Sequence, residues 1–132
     1  MARLILDTSV LIAGVRSDTD LGRLANADDI AVPGVVVAEY VAGVLLDGDP
    51  GRAAAQRSFL DEVLEVVPVA GYDRAVAEHH AVLLAHTRRN GGQRGVHDLI
   101  VAATARASQR TILTADARAR FDELPGVTAQ LL

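Results

Sequence analysis

The chain has 132 residues, half of them hydrophobic but only 3% aromatic, and a formal net charge of −4. It is long enough for one domain, residues 1–132, around one sizeable core of Val, Leu, Ile and Ala. The absence of Cys excludes a disulfide framework, a thiol nucleophile and a thiolate zinc site, and the absence of Lys excludes phosphate sites built on lysine such as the P-loop.

Leu4 to Leu6 is an apolar run short enough for a buried strand, and Asp7 ends it abruptly. Thr8 and Ser9 suit a helix start, and Val10 to Val15 reads as a short helix. Ser17-Asp18 offers a restart before a second helical stretch over Asp20–Asn26. Ile30-Ala31-Val32-Pro33 is strand-like and stops at proline. Gly34 to Leu46 is apolar almost all round; its run of three valines suits a strand, but the pattern continues unbroken and predicts a buried helix. Asp47 to Gly51 is a loop rich in breakers. Arg52 to Val66 predicts a third long helix and Val66 to Val69 a short strand. Asp73 to Arg89 is another helix, ended by Asn90-Gly91-Gly92. Val96 to Arg110 carries an apolar stripe at helical spacing. Thr111–Thr114 reads as a strand, Ala115–Glu123 as a short helix and Val127–Leu132 as a last strand. The alternation predicts the α/β class: a three-layer α/β/α domain with a short parallel sheet of four or five strands.

The net charge hides an asymmetry. Residues 1–84 carry six Arg against thirteen acids, whereas residues 85–132 carry seven Arg against four. Such a basic region can hold phosphates, although an ordinary solvated surface has the same composition. The candidates nearest the acids discussed below are Arg94 and Arg118, with Arg88, Arg89 and Arg120 beside them; Arg106 and Arg110 rank lower. No apolar run approaches the roughly 18 residues of a membrane span. No signal-peptide pattern precedes the strand at residue 4, so a cytoplasmic protein is expected.

Four acids sit where this fold would bring them together. Asp7 follows the first strand, at the end where open α/β sheets bind ligands. Asp116 follows Thr111–Thr114, and Asp98 lies near the start of its helix, about 160° round from the apolar stripe. Each of these three also reads as a helix cap or a first-turn acid suited to the helix dipole. Glu39 does not. It is the only charged residue between Asp29 and Asp47, and a buried carboxylate needs a cation, a proton or an Arg. Four converging carboxylates repel unless a divalent ion holds them, and oxygen ligands suit Mg²⁺ or Mn²⁺. The bland readings of the remaining polar groups are His79, His80 and His86 without metal spacing, and Tyr40 as core packing. Two other classes stay open: a haloacid-type aspartate phosphatase, which would want an Asp where Ser9 stands, and a non-enzymatic metal- or partner-binding module.

The stretches Leu6–Ile12, Val36–Tyr40, His97–Ala105 and Thr111–Asp116 resemble, in order and separation, the motifs of PIN-domain nucleases, and the chain's length resembles that of the VapC toxins of toxin–antitoxin pairs. The resemblance implies a PIN-like fold and a Mg²⁺- or Mn²⁺-dependent endoribonuclease that leaves a 5′-phosphate and a 3′-hydroxyl. It places Asp7, Glu39, Asp98 and Asp116 on the family's four catalytic acids, with Asp7, Asp98 and Asp116 as metal ligands. Thr8, Ser9 and Thr114 fall on its supporting hydroxyl positions, and Arg94 and Arg118 become the candidates for RNA. It also implies a homodimer and a cognate antitoxin, with the Gly34–Leu46 and Arg52–Val66 region as its groove. One departure is visible: Gly95-Val96 stands where many relatives carry a proline-containing turn.

Overall fold

The computed structural model describes residues 1–16 and 19–132; the predicted restart at Ser17-Asp18 lies outside the described residues. Five strands, β1 (Arg3–Leu6), β2 (Asp29–Pro33), β3 (Val69–Ala70), β4 (Thr111–Thr114) and β5 (Ala129–Leu131), form one sheet in the order β3-β2-β1-β4-β5. Every neighbouring pair is parallel. In β1, β2 and β4 every residue after the first is buried, so both faces of the sheet are covered, as parallel sheets require. Among the described residues, six helices flank it: α1 (Thr8–Val15), α2 (Leu21–Ala27), α3 (Gly34–Leu46), α4 (Pro50–Val66), α5 (Arg74–Asn90) and α6 (Val96–Ser108). No helix among the described residues is long and apolar enough to cross a membrane.

The core is aliphatic, as the composition requires: Leu4, Ile5, Leu6, Leu11, Leu60, Leu83, Ile112 and Leu113 are fully buried, with Phe121 as the one large aromatic among them. Tyr40 packs here too, its hydroxyl donating to the Gln56 carbonyl at 2.7 Å. Local chemistry sets the element ends. Asp49 accepts from the backbone N–H groups of Gly51 and Arg52, with Pro50 as the first helical residue, so α4 starts two residues before Arg52. Gly91, at φ 66°, ends α5 in the left-handed region that glycine tolerates.

Three segments differ from the sequence reading. The strand expected over Val66–Val69 begins only at Val69, because α4 runs through Val66 and the Val67 N–H still bonds back to Val63. Ala115–Glu123 is not one helix but two 3₁₀ turns, Ala117–Ala119 and Phe121–Glu123, divided by Arg120 at φ 48°. Helix α3 is less buried than expected. Only Val36 and Tyr40 are fully buried, and Leu45 and Leu46 at its end face solvent.

Strand order places the site. Strand β1 leads to β2 on one side and pairs with β4 on the other, so the connections diverge between β1 and β4. A crevice outside the carboxyl ends of the strands opens at such a switch point. Asp7 follows β1 there and Asp116 follows β4 two residues on.

Candidate active site

Asp7 is 7% exposed although it carries a carboxylate. Its backbone N–H continues the ladder to the Leu113 carbonyl at 3.0 Å, which sets it beside Thr114. It occupies the N-cap position of α1, yet its side chain caps nothing. The Ser9 and Thr114 hydroxyls both donate to Asp7 Oδ2 at 2.9 Å. Ser9 Oγ also accepts from the Ala115 N–H, and Thr114 Oγ1 from the Asp116 N–H. The two hydroxyls therefore tie the strand ends together and present Asp7 as an acceptor. No cationic side chain among the described residues pairs with it.

Glu39 reaches the same end of the sheet from the second turn of α3. Thr8 Oγ1 donates to Glu39 Oε1 at 3.2 Å, and His97 Nδ1 lies 3.2 Å from Oε2. Glu39 is a third exposed rather than buried, so it does not need the cation, proton or Arg expected of a buried carboxylate; a hydroxyl and an imidazole meet it instead. Asp98, in the first turn of α6, is half-buried. Burial lifts its carboxyl above the ordinary value, and the negative charges of Asp7, Glu39 and Asp116 push it further up, while Arg94 opposes them. Asp98 thus feels all three other acids. Asp116 does cap, accepting from the Arg118 N–H at 3.0 Å.

The four acids face one another without closing on a point. Among the described residues, no three His, Asp or Glu side chains stand close enough to hold one ion as they are. Like charges repel, and Asp7, Glu39 and Asp116 turn instead to a hydroxyl, imidazole or backbone N–H of their own. The donor set still suits a hard divalent cation: it is all oxygen, one member is buried between neutral donors, and one is driven toward protonation by burial and by its acidic neighbours.

The two arginines divide. Arg94 is 17% exposed; it donates to the Ala119 carbonyl and to Glu123, and so holds the 3₁₀ segment after Asp116 against the start of α6. Arg118 is 96% exposed, 3.6 Å from Asp116. Arg106 and Arg110 bond to carbonyls of Pro125, Leu4 and Asp29, and Arg110 and Asp29 mark the opposite end of the strands. Sequence reasoning missed the inward use of Arg94 and the contact of His97 with Glu39. The second had one signal, the position of His97 beside Asp98 in a first helical turn.

A cleft of about 570 Å³ between α1, α3 and α4 reaches one of these acids, Glu39, and is lined also by Thr8, Ile12, Tyr40 and Val44. A larger one of about 740 Å³, lined by Leu21, Phe59 and Val63, lies along α1, α2 and α4 away from them.

Known proteins resemble this chain in sequence and in fold. A protein described as Ribonuclease VapC from Rickettsia bellii (strain RML369-C) is 27% identical over 130 residues, covering 97% of both chains. In the crystal structure of VapBC2 from Rickettsia felis bound to a DNA fragment from their promoter, one chain superposes with a TM-score of 0.85 at 22% identity, over 98% of each chain, a likeness of fold. A chain of VapBC-5 from Mycobacterium tuberculosis superposes with a TM-score of 0.77 at 26% identity, covering all of this chain and 98% of that one. The family model for the PIN domain matches residues 4–127, nearly the whole sequence, and the chain belongs to the PIN domain family.

Proposed function

We propose that this protein is a divalent-metal-dependent endoribonuclease, the toxin of a VapBC-type pair, acting in the cytoplasm. The observation that carries the reading is the placement of Asp7, buried yet met among the described residues only by neutral hydroxyl donors, at the switch point of the sheet, with Asp116 just past β4. The similarity to a ribonuclease along the full chain supports the substrate. The order of residues also disfavours a haloacid-type phosphatase, because Ser9 supports Asp7 rather than standing as a second acid.

Asp7, Asp98 and Asp116 would hold the ion, and Glu39 completes the charge around it. When bound, Mg²⁺ or Mn²⁺ supplies Lewis acidity for hydrolysis of a phosphodiester. The chain's own residues do the rest. Ser9 and Thr114 keep Asp7 oriented as an acceptor. Thr8 does the same for Glu39. Arg118, exposed and paired among the described residues only with Asp116 at 3.6 Å, grips RNA phosphate next to the acids without reading sequence. Arg94 sits in the same cluster, but its fork is already engaged, so its share of RNA binding is the smaller.

An antitoxin partner follows from the similarity to VapBC complexes. The cleft between α1, α3 and α4 suits it, because a segment laid there ends against Glu39. The exposed Leu45 and Leu46 of α3 support a homodimer as well.

The reading is tested by incubating RNA with the purified chain. Cleavage is expected with Mg²⁺ or Mn²⁺, with 5′-phosphate ends, and none with a chelator; undiminished cleavage in the chelator would refute metal dependence. A salt series separates the arginines. Arg118→Ala is expected to lower the slope of log affinity against log salt by roughly one unit, the loss of one phosphate contact. Arg94→Ala should change that slope less and lower the melting temperature. Equal slopes for wild type and Arg118→Ala would make Arg118 ordinary solvated surface.

A further inference from the structure

Glu39 differs from the other three acids in having each carboxylate oxygen held by a side chain from a different helix. Oε1 takes the Thr8 hydroxyl at the start of α1, and Oε2 faces His97 Nδ1 in the first turn of α6, both at 3.2 Å. The imidazole is 56% exposed on the rim of a shallow cleft formed by Glu39, Gly95, Val96 and Asp98. A contact this exposed adds little to folding stability. It does fix one rotamer of a long, flexible acid, and the direction of that acid decides how much negative charge reaches Asp98.

We propose that His97 is a positioning residue: with Thr8 it clamps Glu39 toward Asp98 and thereby sets the affinity of the site for its divalent ion. The inference rests on the metal reading above. Hydrogen-bond partners that orient acids around a metal typically account for 10–100-fold in affinity or activity, by order of magnitude. The contact is made by Nδ1, so Asn, whose amide nitrogen occupies nearly the same place, keeps it, whereas Ala removes it.

The test is Mn²⁺ titrated into the RNA-free protein by calorimetry, for wild type, His97→Ala, His97→Asn, Glu39→Gln and the double variant His97→Ala/Glu39→Gln. His97→Ala is expected to weaken Mn²⁺ binding about tenfold or more. His97→Asn should recover most of that loss, and His97→Ala should cost almost nothing further once Glu39 is Gln. Wild-type affinity in His97→Ala, an Asn variant no better than Ala, or a full loss that persists in the Glu39→Gln background would each overturn the clamp. A wild-type protein that binds no Mn²⁺ would take down the metal reading and the clamp with it, which separates the two failures.

Discussion

On the proposed reading, Asp98→Asn should lower RNA cleavage by roughly 10²–10³-fold, because it would remove a ligand of an ion that supplies several kcal/mol of charge stabilisation, at about 1.4 kcal/mol per factor of ten. RNA binding without metal should survive or tighten, since one negative charge facing the phosphates is gone. Stability should move the other way from activity. The folded Asp98 carboxyl is raised above its ordinary value of 3.8 by burial and three acidic neighbours, so the native state binds that proton more tightly than the unfolded chain. Its unfavourable contribution is absent below the ordinary value and grows as the pH rises through the window above 3.8. In chelator at neutral pH, Asp98→Asn is therefore expected to melt at a higher temperature than wild type, and the gap should close on acidification. A variant that melts lower at neutral pH would contradict the crowding of negative charge.

The largest stability effect is expected at Phe121. It is 1% exposed and is the largest fully buried side chain among the described residues. It also anchors the second 3₁₀ turn, downstream of Asp116 and directly after the left-handed Arg120. Phe121→Ala should cost about 3–5 kcal/mol through lost burial and a residual cavity. For a chain of this length that is a fall of roughly 10–20 °C in melting temperature, readable by circular dichroism. A fall of only one or two degrees would mean that this segment is not docked in the core.

The acids were legible in the sequence for distinct physical reasons. Asp7 breaks a strand-length apolar run, and Glu39 is alone in an apolar helix, a placement that helix capping does not explain. Asp98 and Asp116 are ambiguous by themselves, and Asp116 does act as a cap. What local pattern cannot carry is contact across the chain. Glu39 and His97 are far apart in sequence and meet only because α3 and α6 pack together. Arg94 turns inward only because the 3₁₀ segment folds back to offer the Ala119 carbonyl and Glu123. That segment reads as one helix in the sequence because its break falls at Arg120, and an Arg in the left-handed region leaves no signal that a glycine would. The outer face of α3 was read as buried because apolar residues surround the helix, and the single chain covers only part of them.

The central claim is that the acids at the β1–β4 switch point form one ion site. The most direct measurement is anomalous diffraction from crystals of the protein grown with Mn²⁺. The expected result is a peak bound by Asp7, Asp98 and Asp116, with Glu39 turned toward it. Mn²⁺ bound elsewhere, or no peak at this crevice under conditions that support RNA cleavage, would contradict it.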